Sequence, residues 1–290
     1  MQPCLLAIDT STERMALSLS WPGGCLTRNE DGAAAASGRL LPLAAQMVRQ
    51  AGLSFGQLDA IAFGAGPGAF TGLRIACAVA QGLALAHGRP VLPLDSLMLV
   101  AEDAAAQCPS LRRLADMAHP PGSANPACAS PACASPVWVA MDARMNEVYA
   151  ASYAWQGEHW QVLAAPALYT LSGLSQCWTA QPPVMVAGSA VSAFAGRLPF
   201  AAAQQLAAER DRAAALAALA KQAWNQGLRT DPGQALPLYL RDKVALTTQE
   251  RTEARTEART QVRGHESAGE MAGELARASD CASACASTRV

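Results

Sequence analysis

Residues 59–88 read DAIAFGAGPGAFTGLRIACAVAQGLALAHG, and the fold class turns on how that stretch divides. DAIAF (59–63) has the length and residue types of a short buried strand. It runs into a glycine-rich loop, GAGPGAFTG (64–72). A helix follows from about Thr71 to His87, with Gly88 as its stop signal. Strand, glycine loop and helix in that order are the building unit of an α/β sheet. The loop itself carries two readings. Its N–H groups and the helix terminus could face an anion, and Gly64-x-Gly66-x-x-Ala69 satisfies a dinucleotide fingerprint, with Asp95 at the end of the next strand as ribose acceptor. Against that, Pro67 removes a donor from the middle of the loop, and no Lys-Ser/Thr pair follows the glycines as a P-loop requires. In the second reading the glycines only let the chain turn tightly at a helix start.

Upstream, CLLAIDT and MALSLSW are two β-type runs, followed by a Pro22-Gly23-Gly24 turn and a short continuation, a hairpin signal that a simple dinucleotide fold lacks. A helix from about Arg39 to Ala51 ends at Gly52. Downstream, the strand VLPL and a helix after Asp95 complete a ββ-α-β-α-β-α unit, residues 1–106. From 107 to 136 the pattern collapses into six prolines and a tandem PACAS pentapeptide. Such a stretch buries too little side chain to offset its ordering entropy, and it reads as a disordered insertion. A second α/β unit, 137–246, opens with the strand pair VWVAMDARMNEVYAASYAW. It continues through PPVMVAG to the helix RAAALAALAKQAWNQG, with Leu216, Leu219, Ala220, Ala223 and Trp224 on one face. Residues 247–290 read as a disordered tail. Their TEARTEAR repeat sets Arg251, Arg255 and Arg259 four apart, which opposes helix formation.

Composition narrows the class further. The apolar fraction is 51%, inflated by alanine, the charged fraction is 16% and the net charge −1. No surface taken as a whole suits a polyanion, so any nucleic-acid grip should come from a partner. The start MQPCLLAIDT has no basic region and reads as a buried strand, and no uncharged apolar run reaches the ~18 residues a membrane helix needs. Nine cysteines, an odd number without a secretory signal, point to reduced thiols in a cytoplasm. With no CxxC and with His87, His119, His159 and His265 far apart, no metal and no cofactor is expected.

Three groups of residues carry candidate chemistry. Asp9 ends a buried first strand and is followed by Thr10, Ser11 and Thr12; such an Asp can hold a metal-bound phosphate, or the group can be a turn bonded to its own backbone. In the helix at 39–51, apolar residues cover most of the circumference, more than one sheet can bury. The helix at 71–87 has small residues at Gly72, Ala76, Ala80 and Ala84. Leu40, Leu43, Ala44, Met47, Gly72, Ala76 and Ala80 are therefore candidates for a subunit interface, with ordinary packing inside the chain as the alternative. Asp142, Arg144, Glu147 and Tyr149 crowd one strand start, as partner or ligand contacts or as a local ion pair.

The strings LLAIDTST, GAGPGAFTGLRIACAVAQGLALA, MDARMNEVYAASY and PLYLRDKVA, in this order and spacing, resemble the bacterial TsaB (YeaZ) family. The resemblance is dense over residues 4–106, looser over 137–246, and skips the insertion and the tail. It implies an actin-like ATPase (ASKHA-type) α/β fold of two similar subdomains. It also implies a non-catalytic subunit that pairs with the related catalytic subunit TsaD, with the small ATPase TsaE joining, in threonylcarbamoylation of a tRNA adenosine. The tRNA is met only through that complex, and the free chain could form a homodimer. Ala36-Ser37 stands where similar proteins often carry a His-Ser/Thr pair. A nucleotide site of that fold needs glycine-bearing phosphate loops, because backbone must approach the phosphates closely. Here the first is Asp9-Thr10-Ser11-Thr12 and the second Asp142-Ala143-Arg144-Met145, both without glycine, while the nucleoside loop keeps only VAGSA around Gly188. The implied nucleotide site is degenerate. An independent actin-fold ATPase or phosphotransferase, resting on Asp9, and a metallopeptidase remain the rival readings.

Overall fold

Three antiparallel strands open the chain, β1 (Leu5–Asp9), β2 (Arg14–Trp21) and β3 (Gly24–Asp31), in a computed structural model that describes residues 2–32, 35–109, 111 and 136–241. Next come α1 (Ala36–Gln50), β4 (Ala60–Gly66), α2 (Phe70–His87), β5 (Val91–Asp95) and α3 (Ser96–Gln107). β4 pairs parallel with β1 and β5 parallel with β4, giving a sheet of order β3-β2-β1-β4-β5.

The second half repeats this plan. β6 (Val137–Asp142), β7 (Glu147–Trp155) and β8 (Trp160–Thr170) form another antiparallel meander. After α4 (Leu171–Ala180) come β9 (Met185–Ala187), α5 (Ala190–Ala193), β10 (Gln204–Leu206) and α6 (Arg212–Asn225). β9 pairs parallel with β6 and β10 with β9, so the order β8-β7-β6-β9-β10 matches the first sheet strand for strand. The chain is an actin-like α/β fold of two similar subdomains. The described residues fall within one compact unit, Met1–Leu240, while Arg241–Val290 is described only at its first residue. Of the expected insertion, 107–109, 111 and 136 are described, and Leu111 is buried in the core. The remainder of the insertion, and the tail, lie outside the described residues.

Period-two alternation sorts the core into layers. Leu6, Ile8, Leu17, Leu19 and Phe63 face α1 and α2. Leu5, Ala7, Ala16 and Ala62 face the opposite way, into a layer built from α3 and α6 that also buries Val137, Val139, Ala151 and Tyr153 of the second sheet. The outer face of that second sheet, with Trp138, Ala140 and Val148, is covered by Leu174 and Trp178 of α4 and Val191 of α5. α6 follows the second sheet in sequence but packs on β1, β2 and β3 of the first. That crossing delivers its N-terminus to the end of β1.

The residues expected at an interface are taken up inside the chain. Leu40, Ala44, Met47, Gly72, Ala76 and Ala80 are all buried inside the chain, and Leu43 is half-buried. On α1, positions 40, 44, 47 and 48 make a stripe that the first sheet takes up. On α2, the small-residue row brings the helix close to its own sheet. The outward faces carry other residues: Leu41 is 45% exposed and Leu85 65%, with Ala78 and Gly82 also exposed. By length and composition α2 could cross a membrane, yet its row from Gly72 to Ala84 is core packing.

Candidate functional site

Asp9, Thr10 and Ser11, at the end of β1, are buried. Asp9 Oδ2 accepts from Ser11 Oγ at 3.0 Å and from Ser11 N at 3.4 Å, a turn closed on its own backbone as Asp and Ser favour. Its other oxygen, Oδ1, accepts from Ser96 Oγ at 3.3 Å, and Ser96 Oγ accepts from Gly66 N at 3.0 Å. The strongest partner comes from the far end of the chain. Arg212, the first residue of α6, donates from Nε to Asp9 Oδ2 at 2.7 Å, with 3% and 0% of the two side chains exposed. Its Nη2 reaches Ser11 Oγ at 2.8 Å and Ser96 O at 3.2 Å, and Nη1 reaches Glu209 Oε2 at 2.5 Å. Burial works against the guanidinium's charge, but Asp9 and then Glu209 outweigh it and hold its pKa above the ordinary arginine value.

The glycine-rich loop lies against this turn, and its glycines are explained by contact with it. A Cβ on Gly72 would stand 1.8 Å from Thr10 O, on Gly68 2.4 Å from Ser11 O, and on Gly64 1.7 Å from Asp9 Oδ1. Thr10 Oγ1 donates to Gly72 O at 2.6 Å, and Ala69 N donates to Ser11 O at 2.7 Å. The close approach that glycine permits is therefore spent on residues 10–11 of the same chain. These residues do not fit a metal-bound nucleotide: both Asp9 oxygens have donors, its charge is met by a guanidinium, and the backbone beside it is packed. The dinucleotide reading of the loop fails for a related reason. Asp95 caps α3, accepting from Leu97 N at 2.9 Å and Met98 N at 3.3 Å, and takes a 2.6 Å bond from Tyr153 OH. Burial raises the Asp95 pKa, although Tyr153, the two backbone N–H groups and Arg212 pull the other way. Burial, with Asp95 adding to it, also raises that of Tyr153.

The corresponding turn of the second sheet is open. Arg144 N donates to Asp142 Oδ1 at 2.8 Å, and Asp142 N donates to Ser189 Oγ at 3.0 Å beside Gly188. Arg144, Met145 and Asn146 all have φ between 55° and 65°, a left-handed run that side chains resist. Arg144 forms an exposed 2.8 Å pair with Glu13, from the turn after β1. The polar group at this strand start is thus largely a turn with an ion pair, and Tyr149 lies half-buried at the edge of the central core. Gly188, at φ +113°, leaves no room either, since a Cβ would meet Ala140 O at 2.4 Å. Arg74 faces no anion among the described residues. It stacks 3.8 Å over the Phe70 ring and donates to Tyr239 OH at 3.0 Å. No group of three or more His, Cys, Asp and Glu is placed to hold a metal among the described residues.

Sequence reasoning found Asp9, Thr10 and Ser11 but missed Arg212, Glu209 and Ser96. One signal was present: a cation at the first position of a helix opposes the macrodipole, which favours anions there, and such a placement asks for a buried carboxylate.

Residues 30–119 of the chain match the sequence model of TsaD, tRNA N6-adenosine threonylcarbamoyltransferase. The tRNA threonylcarbamoyladenosine biosynthesis protein TsaB of Haemophilus influenzae is 37% identical over 145 residues, 50% of this chain and 51% of that protein. The TsaB of Escherichia coli K12 is 32% identical over 169 residues, 56% of this chain and 62% of that protein. The chain thus spans about half to three-fifths of the length of these curated relatives. The solved structure of YeaZ from Pseudomonas aeruginosa superposes with a TM-score of 0.67 at 33% identity, covering 82% of this chain and 100% of that one.

Proposed function

This chain belongs to the TsaB (YeaZ) family, and from that premise we propose that it is a non-catalytic subunit of the tRNA threonylcarbamoyl transferase complex. In this reading it binds TsaD and activates it for threonylcarbamoylation of tRNA adenosine, in the cytoplasm. TsaE joins the assembly, and tRNA is engaged only through it. The observation that carries the reading is the Asp9 turn, where the carboxylate is paired with a buried guanidinium and the adjoining backbone is packed against glycines. A pocket so filled is poorly suited to ATP chemistry, which favours a scaffold over an independent ATPase.

The partner would meet the outward faces of α1 and α2, at Leu41, Ala78 and Leu85, where apolar side chains face solvent, with exposed Gly82 among them. Binding activates an enzyme only when it favours that enzyme's competent state. The same face would serve a homodimer of the free chain. The segments 107–136 and 247–290 are assigned no part. The test is gel filtration of the chain with TsaD, together with tRNA modification by the mixture. Leu85→Arg and Leu41→Arg should abolish co-elution and modification while leaving the circular dichroism spectrum unchanged. Unaltered co-elution by both variants removes this face from the interface. ATP turnover by the lone chain that is lost in Asp9→Asn overturns the non-catalytic reading.

A further inference from the structure

We infer that Arg212 is the resident cation of the Asp9 pocket: a guanidinium carried by α6 takes the position a metal-bound phosphate would need, and it closes the pocket to metal–nucleotide ligands. This deepens the reading of the chain as a non-catalytic subunit and rests on it. All three nitrogens of the fork donate. Nε, Nη1 and Nη2 together serve Asp9, Glu209, Ser11 and the Ser96 carbonyl, and the side chain is 3% exposed. A guanidinium, planar and weakly hydrated, suits such a site better than an ammonium would.

The approach of α6 is held from several sides, so the arrangement is built in. Asp103 of α3 accepts from Arg210 N at 3.0 Å and from Asp211 N at 2.8 Å. Asn29 of β3 donates to Asp211 Oδ1 at 2.8 Å and accepts from Ala213 N at 3.1 Å. Arg212 is thus fixed by its neighbours in sequence on both sides, against the preference of a helix N-terminus for anions. Gly64 completes the fit, because only a residue without Cβ admits Asp9 Oδ1 at that point. One consequence is conformational: the helix that closes the second half is tied to the first half's turn by the protein's own charge, with no ligand required.

Arg212→Ala in the full chain vacates the pocket and tests the idea by chemical rescue. The variant should melt about 10 °C below wild type. About 20 mM guanidinium chloride should recover part of that loss, while sodium chloride at the same concentration should not and wild type should gain nothing. Arg212→Lys should fall between the two. If Arg212→Ala does not fold, the double variant Asp9→Asn with Arg212→Met removes both charges together and should fold without responding to guanidinium. Wild type should show no saturable binding of magnesium with a fluorescent ADP analogue. The inference is overturned by a folded Arg212→Ala that melts like wild type or ignores guanidinium, and by saturable analogue binding to wild type that Asp9→Asn abolishes. Assaying tRNA modification with the proposed partner in parallel separates the two readings: failed rescue beside normal modification sinks only the cation, and rescue beside absent modification sinks only the proposed function.

Discussion

Asp9 and Asp142 end equivalent strands of two sheets that share one order, and each accepts from the backbone N–H two residues on, Ser11 in the first turn and Arg144 in the second. From that shared start the turns diverge. The first is buried, pressed against Gly64, Gly68 and Gly72, and neutralised by Arg212. The second is open, with three side-chain-bearing residues in the left-handed region and an ion pair in water. Topology repeats the turn, but the elements packed over it decide its chemistry. α6 lies over the first sheet, and its cation has an Asp9 to meet.

The sharpest way to break this comparison is to put a methyl group between the packed loops. Gly72→Ala sets a Cβ 1.8 Å from Thr10 O, backbone against backbone, where neither side yields. A loss of about 3 kcal/mol or more is expected, read as insolubility or a much lower urea midpoint. Gly82→Ala on the same helix meets nothing within 4 Å and should stabilise by up to about 1 kcal/mol. Equal behaviour of the two variants would show that contact with the turn does not explain the glycine.

Removing the two aspartates compares the turns directly. Asp9→Ala leaves a buried guanidinium without its main partner, and a loss of about 3–5 kcal/mol is expected. Asp142→Ala removes a partly exposed turn acceptor and should cost about 1 kcal/mol. Similar denaturation midpoints for both would mean that burial does not separate the turns as described.

Much of the first half could be read in advance, because β1, β2 and β4 are apolar runs and α2 ends at Gly88, in a left-handed cap. Other elements had no such signal. β8 is a half-exposed strand at the sheet edge interrupted by Pro166, without clean alternation, and α4 buries only Leu174 and Trp178. Periodicity identified the apolar residues of α1 and α2 but could not say which stripe the sheet would take, so the expected interface fell on the core side. Asp9 was legible as a strand-end carboxylate. Its partner was not, since 203 residues separate them and only the crossing of α6 brings them together.

The open turn offers an effect of opposite sign. Met145 is 60% exposed at φ 55°, so its side chain gains little from burial while its backbone pays for the left-handed conformation. Met145→Gly should raise stability by about 1 kcal/mol, measured by urea denaturation. A loss instead would show that the side chain has a packing role in the chain, and the turn would then be less open than its exposure indicates.

A third strand-end aspartate gives the smallest and most specific effect. Asp95 closes β5, and where Asp9 has a guanidinium it has a phenol, Tyr153 OH, at 2.6 Å. Burial holds its carboxyl above the ordinary range despite its donors and Arg212. The folded state therefore keeps the proton longer than the unfolded chain does, and ionisation of the unfolded chain favours unfolding as pH rises. Asp95's contribution is greatest in acid and falls as pH climbs from the unfolded carboxylate value through the folded one. Asp95→Asn keeps a cap for Leu97 and Met98 and an acceptor for Tyr153, but cannot ionise. The variant should gain on wild type between about pH 4 and pH 7 while remaining within about 1 kcal/mol of it throughout, followed by urea midpoints across that window. A wild type that gains on the variant as pH rises would show that the fold favours the charged form of Asp95, and burial would then not govern this carboxyl.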